Sequence, residues 1–126
     1  MTRALPRFSR ITGDDLANQC LDLHYPKWDT VGREESSIRD DILMESGVFV
    51  LDELRLADLP ALRDPEVEIS QDKVARFREL IRKNGVDSVP FPVMRADGTP
   101  IDGWHRSIAL LEEGVQSYRF WLPLDV

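Results

Sequence analysis

The residues best suited to chemistry lie in one short segment, Asp102 to Ser107. In this segment a strand-like run ends, Gly103 lets the backbone turn sharply, and a helix begins. The first N–H groups of a helix have no partner within the helix, and they form the positive end of its dipole. The segment therefore predicts a binding site for an anion, and above all for a phosphate group.

The side chains of the segment fit the same chemistry. Arg106 carries a permanently charged planar fork that matches phosphate oxygens, and His105 can donate a hydrogen bond to an anion. Asp102 can orient either of them or hold a divalent cation such as Mg²⁺. Trp104 can cover a base or a ribose, and Ser107 can bond a phosphate. Asp102 and His105 are therefore the predicted catalytic residues, with Asp102 also the predicted metal ligand.

The same residues also fit a turn with a purely structural role. In that interpretation Gly103 serves only the backbone conformation, His105 caps the helix and Arg106 pairs with a surface acid. Trp104 then covers the core, and capping is the commoner role for Ser107 at such a position. Composition and spacing alone leave both interpretations open.

Apolar periodicity and turn residues predict the elements upstream of this segment. The run Val48–Leu51 is typical of a short buried strand. Ala57 to Glu68 contains two prolines and is predicted as a loop with a single helical turn. Ser70 is a good N-cap for a helix over residues 71–83, which has one apolar face.

Three more elements surround the segment itself. Asp97-Gly98 between two strand-like runs predicts a hairpin. Residues 105–113 predict a short helix that is apolar on nearly all sides, and such a helix is normally buried. Tyr118–Leu122 adds an aromatic-rich strand. The order strand, helix, hairpin, helix, strand predicts an α/β (α+β) domain with a short mixed sheet and packed helices.

The first 47 residues give weaker patterns. Thr12 and Asp15 resemble a helix start, and that helix should end at Tyr25-Pro26 because the residue before a proline disfavours helical geometry. A second helix is predicted from Arg33 to Ser46, with Gly47 as its terminator. We therefore expect residues 1–47 to form a helical extension packed on a domain of residues 48–126.

Composition and charge exclude several classes of protein. The chain of 126 residues is long enough for one core, and no apolar run reaches the ~20 residues of a membrane-spanning helix. No secretory signal pattern is present, which predicts a cytoplasmic protein. One cysteine and two histidines argue against a disulfide and against multi-cysteine or His-rich metal sites. The net charge of −7 argues against DNA binding, because that affinity comes largely from neutralising phosphates.

One stretch also resembles a known family. Gly103-x-His105-Arg106-x-x-Ala109, followed by Glu-Glu-Gly-Val, resembles the second signature box of the ParB/sulfiredoxin superfamily. The resemblance covers about residues 48–122 and includes further upstream segments in the same order: Leu54–Leu59, Asp72–Val74, Leu80–Arg82 and Asp87–Pro90. It implies a ParB/sulfiredoxin-like fold with a nucleotide-phosphate site at the box.

The resemblance also implies which residues bind the nucleotide. Lys73 stands where sulfiredoxin has a phosphate-contacting lysine, and Arg76 falls where that family has a small hydroxyl residue. The implied ligand is ATP, ADP or CTP with Mg²⁺. The implied nucleotide-binding residues are Lys73, Gly103, Trp104, His105, Arg106 and Ser107.

Differences between this sequence and the family limit which of the family's activities the chain is expected to have. Trp104 stands in the place of the reactive cysteine of sulfiredoxin, and sulfinic acid reduction needs that thiolate. The box of the free-serine kinases, Asp-Gly-His-His-Arg, is matched except at Trp104. In those kinases an acidic residue of the first box acts as base, and Glu53, Asp58 and Glu66 are all candidates for it here.

Two main functions follow from this comparison. The first is a nucleotide-dependent phosphotransferase or nucleotide hydrolase that uses the Asp102–Ser107 site. The alternative is a non-catalytic nucleotide-sensing module, or an accessory or inhibitory module of a mobile element with a protein partner. A ParB-like nuclease is a third hypothesis, and the net charge of −7 disfavours it. No membrane partner is expected.

Overall fold

A five-stranded mixed sheet with helices packed against it forms the part of the chain described by this computed structural model, residues 9–22 and 35–124. The strands are Arg10–Thr12 (β1), Val48–Arg55 (β2), Val93–Met94 (β3), Pro100–Asp102 (β4) and Ser117–Pro123 (β5). The α-helices are Gly13–Asp22 (α1), Glu35–Glu45 (α2), Pro60–Arg63 (α3), Gln71–Asn84 (α4) and Trp104–Glu112 (α5). The predicted fold class, a small mixed α+β domain, is confirmed.

The sheet has the order β1-β2-β5-β3-β4. Its longest pairing joins β2 and β5 in antiparallel register, from Phe49 opposite Pro123 to Arg55 opposite Ser117. The pairing of β3 with β5 is parallel, whereas β3 and β4 form an antiparallel hairpin. The hairpin therefore brings the end of β4, and with it Asp102, to one edge of the sheet.

The sequence signals for the starts of two helices and for the hairpin turn are confirmed. Thr12 Oγ1 accepts a hydrogen bond from the Asp15 N–H at 3.2 Å, and Ser70 Oγ accepts one from the Lys73 N–H at 3.3 Å. The hairpin turn has Gly98 at φ +88°. Such capping bonds satisfy N–H groups that the helix itself leaves without a partner.

The structure also contains elements that the sequence analysis did not identify. Residues 10–12 form the edge strand β1, which pairs with β2. The predicted loop 57–68 overlaps a short 3-10 turn at Leu56–Asp58, which was not predicted, whereas α3 matches the single helical turn predicted within that loop. The predicted end of the first helix at Tyr25-Pro26 lies outside the described residues, and so does the start of the second at Arg33.

The hydrophobic core has two parts, one on each face of the sheet. Phe120 and Trp121 are neighbours on β5 but belong to different clusters, as expected when successive strand residues point to opposite faces. The Phe120 cluster includes residues of α4 and α5. The Trp121 cluster includes Leu16 and Ile42, so α1 and α2 cover the second face. Among the described helices, none is long and apolar enough to cross a membrane.

Ion pairs join α4 to the end of α5. Glu113 accepts from Arg78 Nε at 2.7 Å and from Arg82 Nε at 2.8 Å, and Glu112 accepts from Arg78 Nη1 at 2.9 Å. Hydrogen bonds from Arg82 and then Arg78 lower the pKa of the Glu113 carboxyl from its ordinary value. The ionised Glu113 carboxylate therefore stabilises the folded state.

We predict that Glu113→Gln destabilises the protein at neutral pH and has less effect in acid. Because the pKa of Glu113 is lower in the folded state, its contribution is present above the unfolded pKa and is lost as the pH falls through the folded pKa. Urea denaturation of wild type and variant at several pH values between about 7 and 3 measures this difference, with the exposed Glu68→Gln as control. If wild type and variant differ in free energy of unfolding by the same amount at about pH 7 and at about pH 3, the prediction is wrong.

Candidate functional site

The site is built on a sharp turn between β4 and α5. Gly103 is the N-cap of α5 and has φ +103°, a conformation that favours glycine. A Cβ atom there would lie 2.5 Å from Pro92 Cβ and 3.2 Å from Arg106 Nε. Both the backbone conformation and the close packing on Pro92 therefore require glycine at this position.

A buried ion pair closes the turn. Arg106 Nη2 donates to Asp102 Oδ2 at 2.9 Å, and both side chains are 1% exposed. Arg106 Nη1 also donates to the carbonyl of Pro90 at 3.3 Å. The guanidinium thus connects the end of β4, the segment before β3 and the first turn of α5. The partner of Arg106 is a buried acid and not the surface acid of the structural interpretation.

His105 connects the start of α5 to the start of α4. Its Nε2 accepts a hydrogen bond from the Ser70 N–H at 3.1 Å, and the side chain is buried. An imidazole nitrogen that accepts belongs to a neutral ring with its proton on Nδ1. His105 therefore does not cap its own helix; it holds the N-terminus of α4 beside that of α5. Lys73 lies half-buried in the first turn of α4.

Ser107, the fourth residue of α5, is buried. Its N–H donates to the Gly103 carbonyl at 2.9 Å, so it belongs to the helix ladder and is not the cap. Its Oγ is buried and has no hydrogen-bond partner among the described residues. A buried hydroxyl in this state carries a free-energy cost, and it can both donate to and accept from a ligand.

Trp104 lines a cleft of about 610 Å³. Residues of α3, the loop after it and the β3–β4 hairpin complete the lining: Pro60, Ala61, Asp64, Glu66, Val67, Arg95, Asp97 and Thr99. Of the acids proposed as a base, Glu66 lines this cleft, whereas Glu53 and Asp58 do not. Glu53 instead accepts from Ser117 Oγ at 3.2 Å on the sheet.

The sequence analysis did not identify Asp64, Arg95 or Asp97 as part of a site. The Asp-Gly turn signal did predict the hairpin tip where Asp97 lies. No sequence signal, however, indicates that this tip faces the loop after α3, because that proximity depends on how the sheet is assembled. The remaining predicted residue, Arg76, lies exposed on α4.

The role of Asp102 as a metal ligand stays a prediction, and the structure gives one oxygen of its carboxylate another partner. One of its carboxylate oxygens is bound to Arg106, and the side chain is 1% exposed. Within residues 9–22 and 35–124, no cluster of three or more His, Cys, Asp or Glu side chains is arranged to hold a metal ion.

No model of a known protein family, no curated protein and no solved structure matches this chain. The resemblance to the ParB/sulfiredoxin superfamily therefore stays a prediction from short motifs. The roles of the site residues rest on the contacts described above.

We predict that Arg106→Ala destabilises the fold by about 3–5 kcal/mol, because it leaves the buried Asp102 carboxylate without its charged partner. Arg63→Ala, an exposed arginine of α3, should change the free energy of unfolding by less than about 0.5 kcal/mol. Chemical denaturation of both variants measures the difference. If the two variants are equally stable, the ion pair does not hold the turn.

Proposed function

We propose that this domain binds a nucleotide through its phosphate groups where the N-termini of α4 and α5 meet. The observation that carries the proposal is the hydrogen bond of 3.1 Å from the Ser70 N–H to His105 Nε2, which links the N-cap of α4 to a side chain in the first turn of α5. Helix N-termini attract anions through their N–H groups and the positive ends of their dipoles. Two of them side by side favour a ligand with more than one negative group.

Each residue of the junction has a separate role in this proposal. Lys73 supplies the cation that contacts phosphate, and His105 is a positioning residue that fixes the two helices. Arg106 is also a positioning residue, because its guanidinium is bound to Asp102. The buried Ser107 hydroxyl, which lacks a partner in the described part of the chain, supports a polar ligand near the start of α5. The resemblance to the ParB/sulfiredoxin box supports a nucleotide, with ATP, ADP and CTP as the first choices.

Binding without turnover is the form of this function that the geometry favours. Asp102 and His105, the residues expected to be catalytic, are both buried, and each already has a hydrogen-bond partner. Proton transfer to or from a substrate by either side chain would require the substrate to reach a buried group and to take the place of that partner. The domain is therefore proposed to bind or sense a nucleotide and to pass that state to a partner.

We expect ATP, ADP or CTP to raise the melting temperature, since a ligand of the native state stabilises it by mass action. Lys73→Gln should weaken nucleotide affinity by about ten-fold or more, because it removes a charge-assisted contact of about 1.5–3 kcal/mol. Titration calorimetry with each nucleotide, with and without Mg²⁺, measures this. The matched control is Lys83→Gln, a lysine at the other end of α4 that pairs with Glu79. Equal affinities in the two variants would refute the phosphate contact.

A phosphotransferase or nucleotide hydrolase is the second candidate, and one observation favours it. Glu66 lines the same cleft as Trp104, which is next to His105 in the chain. An exposed carboxylate near a bound nucleotide is a suitable general base. In this form of the proposal, Glu66 and not Asp102 performs the acid–base step.

If the domain turns over a nucleotide, Glu66→Gln should lower the rate by about 100-fold or more while nucleotide affinity stays within about two-fold. Phosphate release and calorimetry on the same samples separate the two effects. Glu68→Gln, the same change in the same loop but outside the cleft, should keep wild-type turnover. Absence of turnover in wild type would leave binding as the sole proposed function.

A further inference from the structure

We propose that the cleft beside Trp104 binds a small organic cation, with an ammonium or guanidinium group on a short apolar chain. The cleft has a volume of about 610 Å³, and small-molecule sites typically have about 300–1,000 Å³. Lys73 and Ser107, the proposed phosphate contacts, are not among the residues that line it. The inference concerns a separate ligand and does not depend on nucleotide binding.

The charges around the cleft favour a positive ligand. Three carboxylates line it, those of Asp64, Glu66 and Asp97, against a single cation, Arg95. Arg95 is already neutralised by Asp41 at 3.1 Å and also donates to the Pro100 carbonyl at 2.9 Å. The three carboxylates therefore give the cleft a negative potential that its own arginine does not cancel.

Asp97 keeps its charge because the hairpin turn holds it. The Thr99 hydroxyl and N–H donate to its Oδ1 at 2.6 and 2.9 Å, and these bonds lower the pKa of the Asp97 carboxyl. Asp64 and Glu66 lie exposed at the rim, where a ligand can reach them from solvent. An ionised carboxylate fixed on the hairpin thus faces two more on the loop after α3.

The remaining lining is suited to the apolar part of such a ligand. Trp104 is 5% exposed, and Pro60, Ala61 and Val67 complete the apolar surface of the cleft. An indole attracts a cation through the negative face of its ring and also buries methylene groups. A bare metal ion would use the carboxylates alone, whereas an aliphatic amine uses both kinds of surface.

The same charges select against other ligands. A carboxylate on the ligand would be repelled, so an amine without an acid group should bind better than the corresponding amino acid. Phosphate groups are repelled in the same way, so this inference agrees with the binding form of the proposed function and not with the phosphotransferase form, which places Glu66 beside a bound nucleotide. The negative groups surround one cavity of small-molecule size, which favours a small amine over an extended basic peptide.

Titration calorimetry on the full chain with agmatine, a guanidinium and an amine on a four-carbon chain, tests the proposal. We expect saturable binding that weakens with added salt, and no binding of the uncharged 1-pentanol. The double change Asp64→Asn and Glu66→Gln should weaken agmatine binding by about five-fold or more. Glu68→Gln, which lies in the same loop but outside the cleft, should leave it within about two-fold.

Two further variants keep the test independent of folding and of the proposed function. Lys73→Gln should bind agmatine like wild type even though it is expected to bind nucleotide less well. Agmatine should also change tryptophan emission in wild type but not in Trp104→Phe, with circular dichroism to confirm that each variant is folded.

Several results would overturn the proposal: no saturable binding of agmatine, equal weakening in Glu68→Gln and in the double variant, or binding as tight for arginine as for agmatine. Binding of Mg²⁺ or of an oligolysine peptide in place of agmatine would also overturn it. Nucleotide binding that persists in such a protein would show that only the cation site is wrong.

Discussion

The buried ion pair between Arg106 and Asp102 is the interaction on which the rest of the site depends. Moving two charges out of water is costly, and the cost is recovered only when the geometry is good and further hydrogen bonds are made. Here the pair closes at 2.9 Å, and the Pro90 carbonyl accepts a second bond from the guanidinium. Together with the positive φ of Gly103, it fixes the direction in which α5 leaves the sheet.

That direction separates two neighbouring side chains into different environments. His105 reaches the N-terminus of α4, where it accepts a hydrogen bond from the Ser70 N–H and where Lys73 and Asp72 lie in the first turn. Trp104 lines a cleft whose rim is negative. A single turn therefore adjoins both proposed sites, the helix junction for an anion and the cleft for a cation, and the net charge of −7 indicates neither ligand.

The N-terminal helices contribute to the site through the hairpin. Asp41 on α2 pairs with Arg95, and Glu45 accepts a hydrogen bond from the Ala96 N–H at 2.8 Å. These contacts hold the tip of the hairpin, which carries Asp97 into the cleft wall. The segment that the sequence analysis treated as an extension thus packs on the second face of the sheet and braces part of the candidate site.

The sequence by itself determined the helix caps at Thr12 and Ser70, the hairpin at Asp97-Gly98 and the mixed α/β order, because each depends on residues close together in the chain. It also indicated residues 102–107 as a candidate site, but it left open whether Asp102 orients a neighbouring side chain, takes part in catalysis or binds a metal ion. Only the tertiary structure shows that its carboxylate is buried against the Arg106 guanidinium, because burial depends on how the sheet and the helices pack. The edge strand β1 and the cleft beside Trp104 could likewise not be predicted from the sequence. Both depend on contacts between residues that are far apart in the chain.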